Sequence, residues 1–140
     1  MEIKSKSPDQ TQQIACDLAE TLESPTVVAI FGDLGSGKTV FVKGLAKGLG
    51  IKKRILSPTF VFMRSYPFIK NNRTMIFHHL DLYRLNKNGP QNLGIDEIFL
   101  ENSIVAIEWA DRLRKLPKKR IDVYLKNIDE HTRKITIAGN

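Results

Sequence analysis

The stretch Gly32-Asp33-Leu34-Gly35-Ser36-Gly37-Lys38-Thr39 decides how the rest of this chain is read. Its spacing is G-x-x-x-x-G-K-[ST], and each fixed position has a physical cause. The glycines let the backbone take conformations closed to other residues, so successive N–H groups turn inward around a concavity suited to an anion. A helix opening at Lys38 adds the positive end of its dipole. The Lys38 ammonium then reaches the β- and γ-phosphates of a nucleotide, and the Thr39 hydroxyl ligates magnesium. Asp33, Ser36 and the backbone N–H of Val40 complete the nucleotide-binding loop. The pattern counts only between a strand and a helix, and both flanks comply. Thr26–Phe31 (T-V-V-A-I-F) is apolar and rich in β-branched residues, as in a strand buried on both faces of a parallel sheet. Behind the loop, Phe41, Val42, Leu45, Ala46 and Leu49 form a helical stripe, with Gly50 placed for a left-handed cap.

Upstream, Ser7-Pro8-Asp9-Gln10 is a helix start: Ser7 caps, Pro8 takes the first helical position and Gln10 closes a capping box. Ile14, Ala15, Leu18, Ala19 and Leu22 carry an amphipathic helix from Pro8 to about Glu23. Downstream, the pattern predicts a strand near Val61–Tyr66, a hairpin loop at Asn71-Asn72-Arg73 and a second strand over Thr74–Tyr83. A short helix is expected at Gly94–Leu100 and a fully apolar strand at Ser103–Glu108 (S-I-V-A-I-E). Ala110–Leu116 reads as helical and Ile121–Leu125 as a strand, with Lys134–Ala138 closing the sheet. The expected architecture is α/β: a P-loop NTPase domain over residues 1–140, with a mostly parallel central sheet, an antiparallel hairpin and flanking helices.

Bulk properties narrow the class. A chain of 140 residues, 41% hydrophobic and 26% charged, suffices for one core. Its longest apolar runs are too short to cross a bilayer, so no membrane role is expected. Met1-Glu2-Ile3-Lys4 does not read as a signal peptide, and the single cysteine, Cys16, cannot form an internal disulfide. A cytoplasmic location is the expectation. The net charge of +7 favours polyanions, among them nucleotides, RNA and acidic protein surfaces.

A P-loop needs an acid at the end of a neighbouring strand to hold magnesium. Two are available: Glu108 ends one apolar strand, and Asp81 lies late in another. His78 and His79 are adjacent in a strand, face opposite ways and read as core or surface residues. No Cys/His cluster has zinc spacing. Cys16 reads as a buried small hydrophobe, and Trp109 as packing. Arg112–Arg120 is the densest basic run, a solvated face or a docking face for RNA or an acidic partner. No arginine finger is evident.

Five stretches together resemble the TsaE (YjeE) family, small bacterial ATPases of tRNA threonylcarbamoyladenosine synthesis. They are the glycine loop, Ser57-Pro58-Thr59-Phe60 with Tyr66, His79-Leu80-Asp81-Leu82-Tyr83-Arg84, Leu93-Gly94-Ile95-Asp96-Glu97, and Glu108-Trp109. The resemblance implies ATP and Mg2+ as ligands, and Ser57, Pro58 and Thr59 as a switch near the γ-phosphate. It implies Asp81 as a catalytic or water-positioning acid beside Lys38, Glu108 and Thr39 as magnesium ligands, and Thr11 as a nucleotide contact. It also implies the partners TsaD and TsaB, contact with tRNA directly or through them, and a monomer when alone. Two positions depart from the family pattern at the loop: Val40 stands where a second Thr is usual, and Ser36 replaces the commoner Ala. A usual glycine before Glu108 is also absent, at Asn102 or Ser103.

Other readings are weaker. A GTPase needs an N-K-x-D motif, and Asn86-Lys87-Asn88-Gly89 lacks the aspartate. A small-molecule kinase needs an arginine-rich lid, for which Arg112–Arg120, broken by Pro117, is the one candidate. A nucleotide-gated binding module differs from an ATPase only in turnover.

Overall fold

The computed structural model describes residues 1–56, 62–85 and 95–139. One seven-stranded sheet organises them, in the order β1-β7-β6-β2-β5-β4-β3. Strand β2 (Thr26–Gly32) lies at its centre, flanked by β5 (Ser103–Glu108) and β6 (Ile121–Asn127). Both flanking pairs are parallel, and β5 pairs in parallel with β4 (Arg73–Asp81). Central strands of this kind must be apolar on both faces, and all six residues of β5 are buried. The sheet turns antiparallel at both ends: β3 (Met63–Lys70) pairs with β4, and β7 (Arg133–Gly139) with β6. The fold is thus the α/β P-loop architecture read from the sequence, parallel in its middle.

The outer edge departs from that reading. Arg133–Gly139 does not close the sheet, because β1 (Glu2–Ser5) pairs with it antiparallel. Four residues in which charge and polarity dominate carry too little pattern to announce a strand. Strand β3 begins at Met63 and runs to Lys70, later than the expected Val61–Tyr66. The cause is the turn: Asn71 and Asn72 both take positive φ (52° and 62°), a two-residue loop that pairs Lys70 with Arg73 and lengthens the hairpin. Pro67 is tolerated there because β3 is an edge strand.

One face of the sheet is covered by α1 (Pro8–Thr21) and α2 (Lys38–Gly48). Ala15, Ala19, Phe41, Val42 and Leu45 pack on Val28, Ile30, Phe77 and Ala106. The helices lie unusually close, because α2 presents glycine there. A Cβ on Gly44 would come within 2.4 Å of the Gln12 carbonyl, and one on Gly48 within 2.4 Å of the Cys16 carbonyl. Cys16 itself is only half-buried, not a core residue: it sits at the rim of this contact. The Ser7 cap is present, accepting from the Gln10 N–H at 3.1 Å. The capping box is displaced by one residue, with Gln10 Oε1 accepting from Lys6 N–H at 2.7 Å.

The opposite face is covered more thinly. Val27, Ala29, Leu80, Leu82, Val105 and Ile107 pack against Ala110, Leu113 and the partly buried Ile98, Phe99, Trp109 and Leu116. The short helix α3 spans Ile95–Ile98. The helix expected at Ala110–Leu116 reduces to a 3₁₀ turn at Ala110–Arg112, entered through Trp109 at φ 56°. Trp109 in the left-handed conformation breaks the chain direction straight after β5, and Pro117 stops regular structure beyond it. Among the described residues no helix is long and apolar enough to span a membrane.

Candidate functional site

The carboxyl ends of parallel strands are where open α/β sheets bind ligands, and this chain concentrates its polar chemistry there. Register aligns the residues. Ile30, two residues before Gly32, pairs with Glu108, and Glu108 pairs with Asp81. The last turn of β2, the acid of β5 and the acid of β4 therefore form one row beneath the N-terminus of α2.

The loop above that row is shaped by its glycines. At Gly32 a Cβ would come within 2.5 Å of Ser36 Oγ and 2.7 Å of the Leu125 carbonyl. Gly35 and Gly37 take φ of 79° and 99°, with open space where their Cβ atoms would stand. Gly37 caps α2 without any side-chain hydrogen bond, so the first-turn N–H groups of Lys38, Thr39 and Val40, which line the cleft, have no capping side chain.

Lys38 is buried and folded back onto its own loop. Its Nζ donates to the Gly32 and Asp33 carbonyls, both at 2.7 Å, and lies 4.2 Å from the centroid of the Trp109 ring. Burial lowers its pKa, while the nearby carboxylates of Glu108, Asp81, Asp33 and Asp111 oppose the shift. Trp109 packs as its sequence position suggests, and its ring also roofs Lys38, leans on Tyr83 at 5.1 Å and faces the Arg112 guanidinium at 5.3 Å.

Glu108 is 2% exposed. Its Oε1 accepts from the Thr39 hydroxyl at 2.9 Å, and its Oε2 accepts from His79 Nε2 at 2.5 Å. Asp81 stands half-buried beside it, with Oδ1 accepting from Tyr83 N–H at 3.1 Å. Burial, then the charge of Glu108, raise the Asp81 pKa; the Tyr83 N–H, His79 and Lys38 pull the other way. Lys38, Thr39, Asp81, Glu108, Tyr83 and Trp109 line one cleft of about 360 Å³. Its hard oxygen donors, a hydroxyl and a carboxylate at the helix start, fit a magnesium ion carried by phosphates.

A second cleft, about 230 Å³, opens on the other side of the loop and shares Gly35, Gly37 and Val40 with the first. Thr11 lies on its wall, with Ser7, Pro8, Glu130, His131 and Arg133. Ser5 Oγ donates to the Ser7 carbonyl at 2.8 Å, so at the 2.7 Å contact Thr11 Oγ1 is the donor and keeps lone pairs for a ligand. Sequence reading finds no placed arginine. The structure brings one, Arg133, whose Nη2 donates to the Gly35 carbonyl at 3.4 Å. It reaches the loop across 98 residues of sequence, so no local pattern announces it. Arg133 stands on the Thr11 side, and no arginine lines the cleft of Asp81 and Glu108 among the described residues.

His79 is a core histidine, one of the two identities its sequence allows; what the sequence does not announce is its bond to Glu108. His78 faces away and bonds Ser65 Oγ through Nδ1 at 2.7 Å. In the basic run, Arg120 is tied to Asp122 at 2.8 Å. Ser57, Pro58 and Thr59, and Asn86–Gly89, lie outside the described residues.

A glycine loop between the central strand and α2, with acids ending the two next strands, defines a P-loop NTPase domain. Comparison with known proteins refines this. The model of the family described as "TsaE: Threonylcarbamoyl adenosine biosynthesis protein TsaE" matches residues 5–135. Proteins named "tRNA threonylcarbamoyladenosine biosynthesis protein TsaE" are similar throughout. The one from Bacillus subtilis is 34% identical, covering 97% of this chain and 84% of that protein. The one from a Nostoc species is 39% identical, covering 93% and 80%. The one from Treponema pallidum is 34% identical, covering 99% and 100%. The crystal structure of Bacillus subtilis YdiB superposes with a TM-score of 0.77 at 31% identity, over 99% of this chain and 84% of that one. The chain belongs to the TsaE family.

Proposed function

We propose that this protein is a magnesium-dependent ATPase that works in the threonylcarbamoylation of tRNA adenosine next to the anticodon. The observation that carries the ATPase part is the Thr39–Glu108 hydrogen bond, which sets a hydroxyl and a buried carboxylate together at the mouth of the glycine loop. The tRNA part rests on the family and on the names of the relatives.

Lys38 exchanges the Gly32 and Asp33 carbonyls for the terminal phosphates of ATP. The free N–H groups of the first turn of α2 bind the same phosphates along the helix dipole. Thr39 and Glu108 would hold magnesium, which would supply positive charge against the phosphoryl oxygens. Asp81, half-buried beside Glu108, with its pKa raised by burial and by that carboxylate's charge, orients or deprotonates the attacking water. The nucleoside lies on the Thr11 side of the loop, with the Val40 N–H near the α-phosphate and Thr11 Oγ1 accepting a hydrogen bond. No guanine-reading motif is present, so ATP is the nucleotide.

Phosphoryl transfer without an arginine at the γ-phosphate is slower by roughly three to five orders of magnitude in the GTPase comparison. With none lining the cleft of Asp81 and Glu108 among the described residues, the isolated protein hydrolyses ATP feebly and accelerates when TsaD and TsaB complete the site. The protein acts in the cytoplasm and resets the modifying complex between turnovers without touching the carbamoyl group. A single-turnover ATP assay with and without TsaD and TsaB tests this. Magnesium-dependent hydrolysis stimulated by the partners is the expected result; no hydrolysis under either condition, or preference for GTP, rejects the reading.

A further inference from the structure

We propose that His79 is the positioning residue of the magnesium acid: its Nε2–H clamps Oε2 of Glu108 so that Oε1 stays against Thr39. The proposal rests on Glu108 being the acid that holds magnesium.

Strand register sets the geometry. In the β4–β5 pair, His79 lies beside Ala106 while Asp81 lies beside Glu108. His79 and Asp81 are two residues apart, so they share the face that α2 covers. His79 therefore reaches Glu108 from below, one step deeper in the sheet than the cleft, where no solvent competes. The imidazole is 0% exposed and the Glu108 carboxylate nearly so. Nε2 carries the hydrogen of this bond, because a carboxylate oxygen can only accept.

Packing alone does not account for a histidine there. Nδ1 is buried and has no hydrogen-bond partner, so the ring carries an unsatisfied polar atom that Leu or Phe would not. The described hydrogen bond of the side chain is the one to Glu108. That bond holds the second oxygen of the carboxylate. A carboxylate on a free glutamate side chain turns about its last torsion, which is broad and roughly two-fold. With Oε2 tied to His79 and Oε1 to Thr39, that torsion is fixed before any ion arrives. Supporting partners of this kind typically account for 10–100-fold in metal affinity.

Three variants separate positioning from mere support of the fold. In His79→Gln the amide nitrogen stands as many bonds from Cβ as Nε2 does, so the clamp can reform. In His79→Asn the nitrogen stands where Nδ1 is, and His79→Leu has none. The measurement is the binding of a non-hydrolysable fluorescent ATP analogue to the full chain, in EDTA and across a magnesium titration. His79→Leu and His79→Asn are expected to raise the half-maximal magnesium concentration by roughly 10–100-fold, with binding in EDTA unchanged. His79→Gln is expected to recover most of the loss. If Leu prevents folding, the Asn and Gln variants carry the comparison. The proposal is overturned if Leu or Asn titrates as wild type, if Gln is no better than Asn, or if binding in EDTA falls by the same factor. Glu108→Gln serves as the reference. Should wild type ignore magnesium, or Glu108→Gln behave as wild type, the magnesium reading fails and the proposal falls with it. A normal Glu108→Gln defect beside a silent His79 removes the positioning role alone.

Discussion

Thr39 Oγ1 donates to Glu108 Oε1 at 2.9 Å across 69 residues of sequence. The direction of that bond matters more than its length. With its hydrogen committed to the carboxylate, the hydroxyl keeps its lone pairs for a cation, and Glu108 contributes negative charge beside them. The bond joins the first turn of α2 to the end of β5 at the place where the sheet opens. Asp81 follows in the next strand, in register with Glu108. The two acids sit in one cleft yet differ in setting: Glu108 is bonded at both oxygens, whereas Asp81 is half-exposed and bonded to a backbone N–H.

Lys38→Ala removes the ammonium that rests on the Gly32 and Asp33 carbonyls. Charge-assisted hydrogen bonds contribute about 1.5–3 kcal/mol each, so ATP affinity should fall roughly 10- to 100-fold or more. Circular dichroism and thermal unfolding should show a folded protein. Undiminished ATP binding by that folded variant would contradict the P-loop reading of Lys38.

Glu108→Gln and Asp81→Asn should split binding from turnover. Glu108→Gln is expected to weaken magnesium-dependent nucleotide binding by at least about 100-fold, since even residues supporting a metal site are worth 10–100-fold. Asp81→Asn should bind ATP nearly as wild type and hydrolyse it roughly 10²–10⁴-fold more slowly, the usual range for a proton-handling group. Magnesium titrations beside single-turnover rates decide it; the opposite pattern would exchange the two roles.

Asp81 also makes a pH prediction for the protein without magnesium. Burial and the charge of Glu108 raise its pKa, so the native state holds that proton more tightly than the unfolded chain does. Its stabilising contribution is complete below the ordinary carboxylate value of about 3.9 and is lost as pH climbs through the raised value. At pH 7 the charged Asp81 is then a cost that Asp81→Asn removes, while Asn keeps an oxygen for the Tyr83 N–H. The variant should show the higher Tm at pH 7, with the gap closing as pH falls toward 4. A lower Tm at pH 7, or a gap independent of pH, would refute this.

Gly44→Ala tests the helix contact that holds Thr11 beside the loop. The added methyl would come within 2.4 Å of the Gln12 carbonyl and 2.6 Å of Ala15 Cβ. Overpacking of this kind costs about 1–3 kcal/mol, several degrees in Tm for a chain of this size. Because α1 carries Thr11, nucleotide affinity should fall as well. An unchanged Tm would mean that α1 shifts without cost.

Much of this site was legible because its parts are local. The loop announces itself in eight consecutive residues, and Glu108 directly follows an apolar strand. Asp81 was legible through the strand that carries it. The bond of His79 to Glu108 was not: it depends on β4 lying beside β5 in one particular register, which no short pattern encodes. Arg133 and β1 were hidden for the same reason, as the partners of both are distant in the sequence. The turn at Ala110–Arg112 misled because Ala110–Leu116 has helical composition, whereas Trp109 and Pro117 decide its backbone.

Multiple-turnover threonylcarbamoylation of tRNA, reconstituted from TsaD, TsaB and this protein, tests the proposed role most directly. With wild type, modified tRNA should accumulate well beyond one equivalent of the modifying complex. Lys38→Ala and Asp81→Asn should each stop it near the first turnover, as should leaving the protein out. Undiminished multiple turnover under all three conditions would show that neither this chain nor its ATP cycle serves the reaction.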